Sequence, residues 1–423
     1  TFKDFRELEH RLKKQRNRPA RPFTIGITAA ARAPRTGRPA CRIIEKEYLD
    51  KGTACKQNKS ESVLLFKKFL GDDDTKKCKD YFPKDLKNIT DASHGSFIAV
   101  IHADGNNLGK LVKKIGENAS GDELVKLHTK FSKVLEEVTT EAVRYAFNNT
   151  VPSPEGRGCY YPFRPVILGG DDVCVIIRAD LAVPFTHLFL KSFEQLSKEK
   201  FKQTRIPGLD HGLTACAGIA FCKDKFPFHY AYSLSNELCA AAKKASKQIK
   251  KEKNLPGVPS SLLFYKIQSS FFTSYQDIVE RVLKAGDPGM RFDFGPYYIN
   301  GDYGPPVEGL LECCSFFKKK ENAALESRYE EWLRRVYESE HRASLYLERT
   351  AALLEQEAIE KYHELTQQLH TLSPALSAEK PYINGKTEGK VISPGALDVA
   401  EIPYGNRKTP LYDIITLNSL GGN

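Results

Sequence analysis

An α+β fold built on a ferredoxin-like palm is predicted by three observations. Between residues 97 and 221, apolar strand-like runs and helix-periodic runs alternate as strand, helix, strand, strand, helix, strand, the order of a split β-α-β unit with an antiparallel sheet and helices on one face. The central pair of runs, residues 165–168 and 173–177, is rich in β-branched side chains and broken by Gly169-Gly170, the composition of a hairpin turn. Beyond residue 285 the chain turns Glu-rich and helix-periodic, which predicts a mainly helical C-terminal region.

Each element has its own signal. Residues 97–103 (Phe-Ile-Ala-Val-Ile-His-Ala) read as a buried strand. Leu124, Leu127, Phe131, Leu135, Val138, Ala142 and Tyr145 recur every three or four residues and mark one face of a helix. After the hairpin, Leu188, Leu190 and Phe193 define a helix over 185–196, and residues 213–221 form the fourth strand, with Gly212 and Gly218 at bend or close-approach positions. A long helix over 230–247 carries the small residues Ala241, Ala242 and Ala245. Upstream, residues 23–28 read as a strand, 34–40 as a loop and 62–70 as a short amphipathic helix. Downstream, 322–369, with the only tryptophan, Trp332, reads as a helical hairpin; 373–408 is a Pro/Gly-rich loop, and 409–417 an apolar segment that docks back. The expected division is a basic arm over 1–22, a palm over 23–285 and a helical region over 286–423.

Composition narrows the function. At 423 residues and 41% hydrophobic content the chain can bury a sizeable core. No apolar run approaches the length of a membrane span. The chain starts at Thr1 and its one methionine is Met290, which reads as a processed or truncated chain. Ten cysteines lack Cys-x-x-Cys spacing, Cys41, Cys55 and Cys78 are irregularly placed for zinc, and Cys174 and Cys216 sit in apolar strands as packing residues. A reducing, cytoplasmic location is expected. The net charge of +11 is concentrated at Lys3, Arg6, Arg11, Lys13, Lys14, Arg16, Arg18 and Arg21. This arm is either a solvated terminus or a surface for nucleic-acid phosphates, and the positive balance also suits nucleoside triphosphates.

The chemistry concentrates at Gly169-Gly170-Asp171-Asp172. A solvated hairpin tip is the plain alternative, but in this topology the first strand lies beside the hairpin and ends in Asp104. Asp104, the Gly105 carbonyl, Asp171 and Asp172 are the oxygen donors Mg²⁺ or Mn²⁺ prefers, with two ions expected and phosphates completing the shell. Adjacent strand residues face opposite sides, which favours Asp171 as direct ligand and Asp172 as second ligand or activator of an attacking hydroxyl. Gly105, Asn106, Asn107, Leu108 and Gly109 turn into a helix whose first N–H groups hold phosphate oxygens, with Gly169 and Gly170 across the mouth. Asp104 alone would equally serve as a helix cap. Lys243, late on the small-residue helix, reaches β- and γ-phosphates if that helix packs close; otherwise it is a solvated lysine. No Walker loop, Rossmann fingerprint or Ser-His-Asp pattern is present.

Asp104-Gly105-Asn106-Asn107-Leu108-Gly109, Gly169-Gly170-Asp171-Asp172, Ala217-Gly218-Ile219-Ala220 and Ala242-Lys243-Lys244 resemble the palm polymerase/cyclase domain of the large subunit of type III CRISPR effectors and, more distantly, the GGDEF diguanylate cyclases. Thr36-Gly37-Arg38-Pro39-Ala40, Gly295-Pro296-Tyr297 and Thr409-Pro410-Leu411-Tyr412-Asp413 are similar to stand-alone members carrying that subunit's second palm domain. The resemblance implies metal-dependent synthesis of a cyclic (oligo)nucleotide second messenger from ATP or GTP in antiviral defence, with release of pyrophosphate. Asn106 stands where the family often has a second carboxylate. With one recognisable palm, a homodimer or a partner palm is expected, and RNA or an effector protein are candidate partners. The alternative class is a nucleic-acid-binding or nucleotide-sensing scaffold whose palm is catalytically silent.

Overall fold

In a computed structural model, residues 2–16, 31–58 (except 35 and 45), 64–70, 81–90, 95–117, 121–204 (except 157), 209, 211–268, 274–286, 289–384 and 407–421 are described. The palm comprises β1 (Phe97–Gly105), α1 (Leu108–Glu117), α2 (Gly121–Thr150), β2 (Phe163–Gly169), β3 (Asp172–Arg178), α3 (Ala182–Thr204), β4 (Ala215–Lys223) and α4 (Phe228–Glu252). β5 (Ser261–Lys266) and the two-residue β6 (Tyr297–Tyr298) extend its sheet. The strand order is β6-β5-β4-β1-β3-β2, so β1 is central and flanked by the hairpin strand β3 and by β4, both antiparallel to it. The predicted ferredoxin-like palm is the observed one.

Strand alternation explains how the sheet is covered. Ala99, Ile101 and Ala103 of β1, with Val173, Val175 and Ile177 of β3, face α2 and α3 and join the main core with Val138, Ala142, Phe185 and Phe189. The opposite parity, Ile98, Val100, Cys174, Ile176 and Ala220, packs with Ala231 of α4. Gly218 shares that parity, and a Cβ there would strike the Ser235 carbonyl and the Cys239 amide. Glycine is therefore what lets α4 lie directly on the sheet, as its spacing predicts. β5 adds in parallel to β4, with α4 as the crossover that a parallel pair requires. Neither β5 nor β6 is anticipated in the sequence reading.

The remaining segments match in part. The predicted strand 23–28 and residues 17–22 of the arm lie outside the described residues, while Phe2–Arg16 is a helix. The short helix is Leu64–Leu70. In the 34–40 loop, Thr36 donates to Asp50; Asp50, held down to about 2 by hydrogen bonds from Thr53 and Thr36, caps the helix Lys51–Asn58. The expected helical hairpin over 322–369 is instead three helices, α6 (Ala323–Glu338), α7 (Glu340–Glu357) and α8 (Ile359–Leu372), preceded by α5 (Val307–Lys318). The breaks fall at Ser339, extended at φ −167°, and at Ala358, at φ −152°; neither is a Gly or Pro, so no punctuation marks them. Trp332, Tyr329, Leu365 and Leu369 are buried there. The terminal segment docks as α9 (Leu411–Asn418), with Leu411 and Ile414 fully buried. Among the described residues no helix is long and apolar enough to cross a membrane.

Candidate active site

The hairpin mouth is built by register. Gly169 pairs with Asp172, leaving Gly170-Asp171 as a two-residue loop. Gly170 takes φ +62° and Asp171 does not, the type II′ pattern in which glycine holds the first loop position. Thr139 of α2 donates to the Gly170 carbonyl at 2.6 Å, fixing the loop from behind.

β1 and β3 pair up to Ala103 and Val173, so Asp104 and Asp172 stand at opposed positions on the face that carries α4. Asp171 leans over the end of β1: a Cβ on Gly105 would lie 3.0 Å from the Asp171 Cβ and 3.2 Å from its Oδ2. A side chain at 105 would therefore displace Asp171. Burial, then a hydrogen bond and charge repulsion from Asp104, push the Asp171 carboxyl up to about 6. Asp172 is also raised by burial, against the pull of His102. His102, two residues before Asp104 on the same face, is buried, which lowers its pKa despite the aspartates around it. Its Nδ1 is 3.5 Å from Asp172 Oδ1, and neither buried atom has a hydrogen-bond partner.

Lys243 closes the group. It is paired with the Asp104 carboxylate and donates to the Gly105 carbonyl at 2.9 Å, and its side chain is only 15% exposed. The solvated-lysine alternative is excluded, and Asp104 is not the residue before the helix. That position is Asn107, at φ +58°, whose carbonyl accepts from Lys110 and Leu111. Asn106 turns away from the mouth: its N–H donates to the Thr214 carbonyl and its side chain to Thr214 Oγ1. The first-turn N–H groups of Leu108 and Gly109 have no acceptor within the helix.

Among the described residues no three His, Cys, Asp or Glu side chains converge as a ready metal cage. The Asp104 carboxylate and Gly105 carbonyl nonetheless meet at one cation, the Lys243 ammonium, with Asp171 alongside. These are hard oxygen donors beside an open mouth, the donor set of a Mg²⁺ site that leaves positions for phosphate and water. The residues fit a divalent ion that takes over the place of the ammonium.

Residues 97–254 match the family model for the second palm domain of Cas10/Cmr2. Among solved structures, the chain is similar to a Csm1-Csm4 cassette in complex with cA4, at 15% identity and TM-score 0.37, covering 67% of this chain and 37% of that one. It is also similar to the cassette in complex with cA3, at 12% identity and TM-score 0.35, covering 77% and 37%. A third match is the active GGEEF domain of a diguanylate cyclase from Vibrio cholerae, at 13% identity and TM-score 0.21, covering 35% and 78%. The chain thus spans little more than a third of the cassette chains. No curated protein matches it. The family match runs from β1 to the end of α4, the stretch that carries the hairpin mouth.

Proposed function

We propose that this chain is a metal-dependent nucleotidyltransferase that makes a cyclic (oligo)nucleotide signal from ATP or GTP in a type III CRISPR-like antiviral context. The observation that carries the reading is the cation position held by the Asp104 carboxylate and the Gly105 carbonyl at the hairpin mouth, with Asp171 hydrogen-bonded to Asp104 beside it. The match of residues 97–254 to a Cas10/Cmr2 palm supports it.

In this reading Asp104, Asp171 and the Gly105 carbonyl would hold the divalent cations, leaving Asp172 beside them; bound Mg²⁺ or Mn²⁺ would neutralise phosphate charge and make the attacking hydroxyl more acidic. Lys243, once a metal held its place on Asp104, would be available to the β- and γ-phosphates. The N–H groups of Leu108 and Gly109 cradle phosphate oxygens. Asp172 takes the proton of a ribose hydroxyl from a second nucleotide. That oxygen bonds to the α-phosphorus while the bond to the β-phosphate bridge breaks, and pyrophosphate departs. The work is positioning and charge neutralisation, with no covalent protein intermediate. Ring closure needs two nucleotides face to face, so the palm works as a homodimer or against a partner palm.

Incubation with each of the four nucleoside triphosphates and Mg²⁺ or Mn²⁺, followed by pyrophosphate assay and mass spectrometry, tests this. The expected result is pyrophosphate with a 3′–5′ or 2′–5′ linked cyclic product. Absence of turnover alone and with a partner palm would leave only a nucleotide-sensing scaffold.

A further inference from the structure

On the β4 side of β1, next to the mouth but outside it, lies a cavity of about 540 Å³, within the size range of small-molecule sites. Two side-chain acceptors, Asn106 and Glu194, are among its less exposed lining. Asn106 is 3% exposed, and its amide orientation follows from its neighbours. The Thr214 hydroxyl donates its one proton to the Val258 carbonyl at 2.6 Å, so Thr214 Oγ1 can only accept from the Asn106 amide, 3.0 Å away. That turns Asn106 Oδ1 away from Thr214, and this buried oxygen has no hydrogen-bond partner. A buried acceptor without a donor is destabilising until a donor arrives. Glu194, also lining the cavity, is a second acceptor; it receives hydrogen bonds from Ser260 while burial raises its carboxyl.

The rim has the opposite character. Lys110 and Lys114 project from α1 and Lys250 from α4. Lys250 donates to the Pro256 carbonyl, and among the described residues no carboxylate forms an ion pair with any of the three. Leu213 and Val258, both buried, supply apolar wall. A ligand that fits has N–H donors at its inner end, a flat apolar body and negative charge at its outer end. Inorganic phosphate fails the first requirement, because acceptors at the inner end repel it.

We propose that this cavity is a second nucleotide site that binds a nucleoside polyphosphate with an amino-bearing base, base inward against Asn106 and Glu194 and phosphates outward on Lys110, Lys114 and Lys250. It involves neither the carboxylates of the mouth nor a metal, so it stands or falls separately from the catalytic reading.

The test is equilibrium dialysis of the full chain against ATP in EDTA, with inorganic tripolyphosphate as competitor. The expected result is one ATP per chain, weakened about tenfold or more by Lys110→Glu/Lys114→Glu and by Asn106→Leu, retained in Asp171→Asn, and displaced by tripolyphosphate only about tenfold less well than by unlabelled ATP. The lysine pair is exposed, so it carries the test if Asn106→Leu does not fold by thermal melt. Absence of metal-independent binding, or binding indifferent to the lysine pair, overturns the site. Equal competition by tripolyphosphate overturns the inward base.

Discussion

Asp413 and Asp171 are both held above the ordinary carboxylate range, and they sit in different surroundings. Asp413, on α9, is pushed to about 8 chiefly by burial, with the charge of Asp293 adding to it; it accepts a hydrogen bond from Tyr297 at 2.6 Å and lies within the core. Asp171 reaches about 6 while half-buried, chiefly because it loses water and then because it shares its space with Asp104. A lone buried carboxyl next to a phenol is satisfied by taking a proton and serves to seat α9 on β6. At the open mouth Asp104 is paired with Lys243 and Asp171 is hydrogen-bonded to Asp104, while Asp172 Oδ1 is left without a hydrogen-bond partner. Burial raises both carboxyls, but only Asp171 is also hydrogen-bonded to another carboxyl, at the hairpin mouth.

That contrast can be broken in several places. The largest expected effect is at Asp104→Asn, which removes a donor and the partner of Lys243; pyrophosphate release should fall on the order of 10³-fold while the melting temperature barely moves, in the range seen when a preorganised electrostatic group is deleted. Next is Gly218→Ala. The added Cβ meets main chain of α4, so unfolding titrations should show a loss of ~1–3 kcal/mol or more, and Lys243 should be carried off Asp104 with a fall in turnover.

Asp413→Asn should act through pH. The folded-state pKa is above the unfolded one, so the native chain keeps a proton that the unfolded chain loses, and stability declines as pH rises from about 4 through about 8. Thermal melts of the wild type should fall between pH 6 and 9, and the Asn variant, which still accepts from Tyr297, should flatten that fall. Asp171 contributes the same sign over about pH 4 to 6. The smallest effect is expected at Thr139→Val, which deletes the hydrogen bond to the Gly170 carbonyl. Stability should drop by about 1 kcal/mol, with hydrogen exchange quickening at the hairpin loop.

Much of this contrast was legible in the residues themselves. Asp104, Gly105, Asp171 and Asp172 sit at strand ends whose pairing follows from short-range pattern, and Gly218 with the alanines of α4 announced the close helix that delivers Lys243. Gly295-Pro296-Tyr297 and Thr409-Pro410-Leu411-Tyr412-Asp413 were visible as motifs, but only the fold shows that they meet, through Tyr297 and Asp413. Other features have no local signal. Thr139 reads as one more residue on an amphipathic helix, and His102 as one more strand residue. The breaks at Ser339 and Ala358 lack Gly or Pro. The cavity beside the mouth is assembled from α1, α3, residues 211–214 and residues 255–260, so nothing in any one segment announces it.

The central claim is that the mouth carboxylates do chemistry and the core carboxyl does not. It is tested most directly by pyrophosphate release from nucleoside triphosphates with Mn²⁺, compared between Asp171→Asn and Asp413→Asn at a pH where both variants are folded. The account predicts that Asp171→Asn is inactive and that Asp413→Asn keeps nearly wild-type turnover. Equal rates in the two variants, or activity surviving in Asp171→Asn, would contradict it.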